Sequence, residues 1–359
     1  MMSNHLKFIN LAHDVASKNL GKTFPNPTVG CVISKNNIII SKAVTSATGR
    51  PHAEEIALKK AGKKAKGAIM YVTLEPCFHN SQNGSCADQI LRSGINKIYI
   101  SCIDEDPRTK KKSISKLKKN KIKVITGIEK DKTISVNNFY FKSLKKKKPF
   151  TKVKMAISND NKIAWSNYKS KWISNSKSRA YVHSLREKTQ AILTTSKTIL
   201  IDNPRFTVRK KNKIIKNLNV IIIDKNLNIP LNINLLKNLH ERRIIIFTSK
   251  KNNKSQKLKQ LGCEIIEMKI VNNKFDLKKI FSHIYQLKIS DLMVEAGGIL
   301  FADLIKNNLV DEILLFKAPY IIGEKGVPVI EGNSLNNIKK KLLEIIKFDD
   351  NLYLKYAIK

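Results

Sequence analysis

The sequence is poor in cysteine and acidic residues, and it contains no long hydrophobic run. Its 5 cysteines are an odd number without regular spacing, which argues against a disulfide framework and indicates a reducing compartment. Residues 1–10 lack the apolar core of a signal peptide, and no apolar run approaches the roughly 20 residues that span a membrane. We therefore expect a cytoplasmic protein that does not cross a membrane.

Acidic residues are so few that the chain carries a formal net charge of +40, from 68 lysines and arginines against 28 aspartates and glutamates. Such a charge is typical of nucleic-acid-binding proteins. The lysines, however, are spread along the whole chain, and the aromatic residues, only 7% of the total, do not alternate with the basic runs as a single-strand binding groove requires. We therefore expect no specific nucleic-acid partner.

A chain of 359 residues is too long for one ordinary hydrophobic core and predicts two domains. A lysine run at residues 145–148, closed by Pro149, is typical of a solvated connector. We place the boundary there, which gives domains at residues 1–147 and 148–359. In both, short apolar runs alternate with helical patterns, which predicts layered α/β domains. The last predicted strands are residues 312–318 and 352–357.

Four residues of the first half form a pattern typical of a zinc enzyme: His52, Glu54, Cys77 and Cys86. A catalytic zinc site keeps three protein ligands, of which Cys2His is one recognised set, and leaves the fourth position to water. We predict a helix that begins near Pro51 and another whose first residue is Cys86. Glu54 then lies about 200° around the helix axis from His52, so both cannot point at one ion.

A carboxylate beside such an ion can take a proton from water, because zinc lowers the pKa of water from 15.7 to about 7. Hydrolytic deamination is one reaction that needs a group to take this proton and return it. The alternative is a structural zinc site with His79 as a fourth protein ligand. Cys31, Cys102 and Cys263 lie in apolar runs and are interpreted as core residues.

The second half contains a candidate phosphate site. Gly297 and Gly298 follow the apolar run at residues 292–294 and precede a helical pattern, so backbone amides at the helix start can bind a phosphate. Arg186 and Arg209 are suited to the same ligand, because a guanidinium binds phosphate through two parallel hydrogen bonds. A tight turn and surface cations are the alternatives.

The motif H-A-E at residues 52–54, T-L-E-P-C at 73–77 and C-A-D at 86–88, with P-N-P-T-V-G-C-V at 25–32, resembles the pyrimidine deaminase of riboflavin biosynthesis. Clusters between Lys154 and Gly323 resemble the reductase half of the same bifunctional enzyme family, a domain related to dihydrofolate reductase. The resemblance implies an α/β fold with an N-terminal cytidine-deaminase-like layered domain followed by a dihydrofolate-reductase-like domain.

The resemblance also implies roles for individual residues. In the first half, Zn²⁺ is held by His52, Cys77 and Cys86, Glu54 moves protons, and Asn26 contacts substrate. In the second half, the residues expected to line the NADPH site are Ala156, Trp172, Thr198, Asp202, Gly297, Gly298, Ile299 and Leu300. Those expected to line the phosphorylated substrate are Lys154, Ser170, Arg186, Phe206, Arg209 and Glu295.

The activity implied is zinc-dependent hydrolytic deamination of 2,5-diamino-6-(5-phosphoribosylamino)pyrimidin-4-one, followed by NADPH-dependent reduction of its ribosyl group to ribityl. The partner is thus a phosphorylated pyrimidine, with no membrane, and a homo-oligomer is compatible with the sequence. Asn161, Thr195, Lys111 and Ser113 stand where the family has glycine, and Thr195 is expected to crowd the cofactor. A zinc-dependent transfer-RNA deaminase, and a deaminase with a decayed reductase domain, are the alternatives.

Overall fold

The computed structural model describes residues 2–79, 84–167, 173–211, 213–331 and 338–358. The chain divides into two compact units, residues 1–147 and 148–359, and each is described by itself. Among the described residues, no helix is long and apolar enough to cross a membrane.

Unit 1 is a five-stranded sheet with helices packed against it. Its strands are β1 Gly30–Lys35, β2 Ile38–Val44, β3 Ile69–Leu74, β4 Lys97–Cys102 and β5 Lys123–Thr126. Its helices are α1 Met2–Ser17, α2 Ala53–Ala61, α3 Cys86–Ser93, α4 Lys112–Lys119, α5 Lys130–Val136 and α6 Asn138–Lys146, with short 3₁₀ turns at Ala47–Gly49 and Gly62–Ala65. The sheet order is β2-β1-β3-β4-β5, in which β3, β4 and β5 are parallel and β1 is antiparallel to both of its neighbours.

The central strands of unit 1 are apolar along nearly their whole length because both faces of the sheet are covered. Helix α2 packs closely against the sheet through Ala53, Ala57 and Ala61, which are all buried in the main core of the unit. Small side chains allow this close approach. As a result, the start of α2 lies buried near the carboxyl end of β3.

Unit 2 is built around a nine-stranded sheet of the order β13-β12-β11-β8-β16-β6-β17-β20-β19. These strands are β6 Phe150–Ile157, β8 Ala191–Thr195, β11 Asn219–Ile223, β12 Ile244–Thr248, β13 Glu264–Glu267, β16 Asp291–Val294, β17 Glu312–Lys317, β19 Lys340–Phe348 and β20 Asn351–Ile358. The strands from β13 to β17 are parallel, and β20 and β19 follow in antiparallel pairing.

Shorter elements surround this sheet. The remaining strands are β7 Lys162–Ala164, β9 Thr207–Lys210, β10 Lys213–Asn217, β14 Ile270–Val271, β15 Lys274–Phe275 and β18 Val327–Pro328, paired as β9–β10, β14–β15 and β7–β18. The helices are α7 Ser176–Glu187, α8 Ser196–Asp202, α9 Asn253–Gln260, α10 Leu277–Gln286 and α11 Gly298–Lys306, with a 3₁₀ segment at Asn234–Glu241.

Three neighbouring parallel strands, β8, β16 and β6, direct their carboxyl ends to one edge of the sheet. In open α/β sheets, ligands bind at this edge. Glu295 and Gly297 follow β16, Thr195 ends β8, and Lys154 lies within the last half of β6. The topology therefore gathers sequence clusters that are more than a hundred residues apart.

The predicted α/β fold class is confirmed, and two details of the prediction are wrong. Lys145 and Lys146, predicted as part of the connector, belong to α6, which ends only at Lys146. The edge strand β19 was not predicted, because its burial pattern lacks the alternation that marks a half-buried strand. Cys31, Cys102 and Cys263 are buried, as predicted.

Candidate active sites

His52 precedes α2 as its N-cap residue, with extended backbone angles (φ −72°, ψ 161°). The helix begins at Ala53, so the prediction that His52 lies inside the first turn is wrong by one residue. The His52 backbone N–H donates to Oε1 of Glu55 at 3.3 Å. This bond satisfies a backbone donor at the helix start and holds the residue that carries the imidazole.

Cys86 is the first residue of α3, as predicted, and Ser85 caps that helix by accepting a hydrogen bond from the Asp88 N–H at 3.2 Å. The Cys86 N–H donates to Sγ of Cys77 at 3.3 Å. A hydrogen bond between the two thiol groups lowers the pKa of Cys77 and raises that of Cys86. The helix start thus favours a thiolate at Cys77, the form that binds a metal.

The side chains of His52, Cys77 and Cys86 each offer one ligand atom, and these atoms all lie within 4.8 Å of one another. Nδ1 of His52 is 3.3 Å from Sγ of Cys86. The donor set, one imidazole and two thiols, fits Zn²⁺ with an open fourth position. Among the described residues this group does not include His79, so the geometry gives no support to a four-ligand structural site.

Glu54 is 3% exposed and lies in the first turn of α2, next to the three ligand residues. Burial raises the pKa of Glu54 to about 7, and the nearby His52 partly opposes this effect. A carboxyl group with a pKa near neutrality can both accept and donate a proton at the working pH. The site therefore has a group suited to proton transfer in addition to its metal ligands.

Asn26, the predicted substrate residue of unit 1, lies half-buried in the loop before β1. Its Nδ2 donates to the Gly49 carbonyl at 3.1 Å. Gly49 has φ +87°, and a Cβ there would lie 2.4 Å from the same Nδ2 atom, so only glycine fits. Asn26 is thereby fixed against the segment that leads to His52.

In unit 2, a cavity of about 960 Å³ brings together the predicted reductase residues that the structure describes. Those lining it are Lys154, Ala156, Arg186, Thr198, Asp202, Phe206, Arg209, Glu295, Gly297, Gly298, Ile299 and Leu300. Ser170 and Trp172 lie outside the described residues. The cavity also includes Lys274, Phe275 and Leu277, on and after the β14–β15 hairpin, which no motif in the sequence marks.

Arg186 and Glu295 form a two-fold hydrogen-bonded ion pair inside this cavity. Nε of Arg186 donates to Oε1 of Glu295 at 2.7 Å, and Nη2 donates to Oε2 at 2.8 Å. Burial alone would raise the pKa of Glu295, but the charge of Arg186 outweighs it and lowers the pKa to about 2. This edge of the Arg186 guanidinium is therefore bonded to Glu295, and the role of Arg186 towards a phosphate stays a prediction.

Two further residues pack around this pair. The ring of Phe206 lies under the guanidinium, with its centroid 5.6 Å from Cζ of Arg186. Lys154 faces the pair, and its burial lowers its pKa while the charge of Glu295 opposes that effect. The polar end of the cavity thus contains the carboxylate of Glu295 and two basic side chains, Arg186 and Lys154.

Gly297 and Gly298 lie between β16 and α11, as predicted. A Cβ at Gly298 would be 2.8 Å from the Val329 carbonyl oxygen, whereas a Cβ at Gly297 would meet nothing within 4 Å. Gly298 is therefore required by packing, and Gly297 borders open space at a helix N-terminus. Such a cradle fits the diphosphate of a dinucleotide cofactor.

Comparison with known proteins supports both halves. Residues 149–354 match the family model of the RibD C-terminal domain, and residues 2–102 match that of the cytidine and deoxycytidylate deaminase zinc-binding region. The riboflavin biosynthesis protein RibD of Aquifex aeolicus (strain VF5) is 36% identical over 345 residues, 93% of this chain and 94% of the relative. The chain belongs to the RibD family of riboflavin biosynthesis proteins.

Solved structures of RibD proteins have the same fold over their full length. The chain matches RibD of Acinetobacter baumannii with a TM-score of 0.91 and 28% identity, covering 100% of both chains. It matches a Thermotoga maritima protein, titled a diaminohydroxyphosphoribosylaminopyrimidine deaminase/5-amino-6-(5-phosphoribosylamino)uracil reductase, with a TM-score of 0.86 and 27% identity over 99% of both chains. As a RibD protein, this chain is a bifunctional enzyme with a zinc-dependent deaminase domain and an NADPH-dependent reductase domain.

Two departures from the RibD pattern in unit 1 have physical explanations. Lys111 has φ +61°, a backbone region that favours glycine. Ser113 is buried, and its hydroxyl donates to Oε1 of Glu75 at 2.7 Å, while the Lys111 N–H donates to Oε2 at 3.0 Å. Residues 111–113 are therefore tied to a carboxylate two residues before Cys77, a link the sequence analysis did not predict although Glu75 lies in its T-L-E-P-C motif.

The departures in unit 2 are also accommodated. Asn161 has φ +60°, a left-handed conformation that asparagine tolerates. Thr195 lines the cavity, and it is also the N-cap of α8, where its hydroxyl accepts from the Thr198 N–H at 3.4 Å. The residue expected to crowd the cofactor thus caps a helix that contributes Thr198 to the cavity wall.

Proposed function

We propose that residues 1–147 deaminate 2,5-diamino-6-(5-phosphoribosylamino)pyrimidin-4-one and that residues 148–359 reduce the ribosyl group of the product to ribityl. The observation that carries this proposal is the cluster of His52, Cys77 and Cys86 beside the buried Glu54. It is supported by the cavity of unit 2, which gathers the described residues of that unit that the RibD resemblance singles out.

In the deaminase half, His52, Cys77 and Cys86 hold Zn²⁺, which when bound acts as a Lewis acid and lowers the pKa of water. Glu54 accepts the proton that water loses and returns it to the departing amine, so that ammonia leaves. Its raised pKa suits this exchange, because the carboxyl group changes protonation state near neutrality. Asn26 orients the pyrimidine from the opposite loop.

In the reductase half, the N-terminus of α11 at Gly297 and Gly298 receives the cofactor diphosphate, and Thr198 and Asp202 line the same cavity. NADPH supplies a hydride when bound. Arg209 offers the phosphate its guanidinium, whereas Arg186 holds Glu295 in place. Lys154, near Glu295, orients the ribosyl hydroxyl groups and the carbon that is reduced.

This function is tested by incubating the zinc-loaded protein with the diaminopyrimidine ribosyl phosphate, with and without NADPH. We expect ammonia release in both reactions, and loss of NADPH absorbance only after deamination. Ammonia release without NADPH oxidation would contradict the reductase half. Deamination of transfer RNA in place of this substrate would contradict the proposal as a whole.

Removal of zinc should separate the two activities. The described residues contain one candidate group of three metal ligands, and all three lie in unit 1. Treatment with a chelator should abolish ammonia release and leave intact the NADPH-dependent reduction of the deaminated substrate. Added Zn²⁺ should restore the first activity. A chelated, metal-free protein that still deaminates would refute the assignment of these ligands.

Alanine substitutions at the two adjacent glycines should have opposite consequences. Gly298→Ala places a Cβ against a backbone carbonyl and should destabilise unit 2 by about 1–3 kcal/mol. Gly297→Ala meets no protein atom, so we expect little loss of stability but roughly tenfold weaker NADPH binding, because the methyl group enters the proposed diphosphate cradle. Urea unfolding and NADPH titration measure the two effects. Equal NADPH affinity in Gly297→Ala and the unmodified protein would place the diphosphate elsewhere.

A further inference from the structure

Arg50 and His79 lie on two different segments next to the zinc ligands. Arg50 precedes His52 by two residues, and His79 follows Cys77 by two. Nη2 of Arg50 is 3.4 Å from Nε2 of His79. A guanidinium can only donate hydrogen bonds, so Nε2 is the acceptor and the ring hydrogen lies on Nδ1.

The Nδ1 atom of His79 is buried and has no hydrogen-bond partner within the described part of the chain. Buried polar groups are nearly always hydrogen-bonded, and an exception calls for a specific explanation. An N–H donor without an acceptor, beside a catalytic centre, is suited to binding an oxygen atom of a ligand.

A second arginine, Arg108, lies on the loop after β4. The Phe78 N–H is 3.5 Å from the hydroxyl oxygen of Thr109, which brings the neighbours of these two residues, His79 and Arg108, close together. The charges are consistent with this placement. Burial has the largest effect on the pKa of His79 and lowers it, Cys77 and Asp106 oppose this effect, and the charges of Arg108 and Arg50 add to it.

The guanidinium of Arg108 is held by a buried carboxylate. Asp106 accepts from its Nε at 3.0 Å and from its Nη2 at 2.6 Å, and Asp106 itself is only 7% exposed. Asp104 fixes this loop in turn, because its Oδ1 accepts from the Asp106 N–H at 3.0 Å. The Arg108 side chain is nevertheless 68% exposed, so its remaining nitrogen, Nη1, can reach a ligand.

We propose that Arg108, Arg50 and His79 form a subsite that binds the phosphate monoester of the deaminase substrate. This inference rests on the proposed function, which supplies a substrate with a ribosyl phosphate. Two guanidinium groups and an imidazole N–H form a set of donors that matches phosphate oxygens. Arg50 and His79 each lie two residues from a zinc ligand. The three donors can therefore bind the phosphate end of a substrate whose pyrimidine ring lies at the metal.

The test compares two substrates that differ only in this group: the diaminopyrimidine ribosyl phosphate and its dephosphorylated counterpart. In Arg108→Gln, kcat/KM for deamination of the phosphorylated substrate should fall roughly tenfold to a hundredfold, because the variant loses a charged hydrogen bond to the phosphate. The value for the dephosphorylated substrate should not change. Arg108→Lys keeps the positive charge but loses the paired N–H donors of the guanidinium, so its fall in kcat/KM should be intermediate.

Lys110→Gln is the matched control, because it removes one positive charge from the same loop. Lys110 pairs with Glu105 at 2.6 Å. We expect it to affect neither substrate, and bound zinc should be equal in all variants. An equal loss on both substrates, or no loss, in Arg108→Gln would overturn the subsite. Failure of the unmodified protein to deaminate either substrate would instead overturn the proposed function, and the subsite with it.

Discussion

Replacing Glu54 with glutamine should lower the rate of ammonia release by roughly 10²- to 10⁴-fold, the usual contribution of a general acid–base group. Glutamine has nearly the same shape but cannot take up the proton that the reaction removes from water. Glu54 is not one of the three ligand residues, so the variant should retain one equivalent of zinc. Burial raises the pKa of Glu54 to about 7, so this carboxyl group can both accept and donate a proton near neutral pH.

The second active site supplies an internal control for this variant. Glu54→Gln should reduce the deaminated substrate with NADPH at the unmodified rate, because the described residues that line that cavity all belong to unit 2. Glu105→Gln removes an acidic group that is 51% exposed and should leave both activities unchanged. Full deamination by Glu54→Gln would rule out its proton-transfer role. Loss of zinc from this variant would show that Glu54 supports the metal instead.

The zinc site could be predicted from the sequence because its residues lie close to one another along the chain. His52 and Glu54 share one helix start, and Cys77 and Cys86 flank one loop, so residue type and spacing indicate a zinc site, and the family resemblance implies the role of each residue. The position of the helix start was off by one residue because an N-cap residue looks, in a sequence, like the first residue of its helix.

The second site depends on contacts that spacing cannot reveal. Arg186 and Glu295 are 109 residues apart, and their pairing follows from the strand order, which places β16 between β8 and β6. A guanidinium read from the sequence is equally suited to a phosphate or a carboxylate. The hairpin β14–β15 was missed for a related reason, since only the fold brings it to the cavity.

Replacing Arg186 with methionine should have the largest effect on stability, about 3–5 kcal/mol of the unfolding free energy of unit 2. The ion pair is mostly buried, with side-chain exposures of 15% and 10%, so the variant leaves Glu295 charged in a poorly solvated site. NADPH oxidation should be lost with it. Both tryptophans, Trp165 and Trp172, lie in unit 2, so urea unfolding followed by tryptophan fluorescence reports on this unit alone.

The pH dependence of the unfolding free energy should show whether the unpaired charge of Glu295 causes the loss of stability in Arg186→Met. In the unmodified protein the pKa of Glu295 falls from 4.5 to about 2, so the pair contributes its full stability above pH 4.5 and loses it as the pH falls towards 2. In Arg186→Met, burial dominates and raises the pKa of Glu295, so protonation relieves the unpaired charge. The stability difference between the two proteins should therefore shrink in two steps as the pH falls. The first lies above pH 4.5, where Glu295 of the variant becomes protonated, and the second lies between pH 4.5 and about 2, where the pair of the unmodified protein is lost.

The double variant Arg186→Met/Glu295→Leu separates stability from function. It removes both charges at once, and replacement of a buried ion pair by apolar residues is often neutral or stabilising. Unfolding by urea at pH 7 should therefore recover most of the stability lost in Arg186→Met, while NADPH oxidation stays absent because Lys154 has lost the carboxylate beside it. A double variant as unstable as the single one would mean that packing against Phe206, rather than the unpaired charge, accounts for the loss.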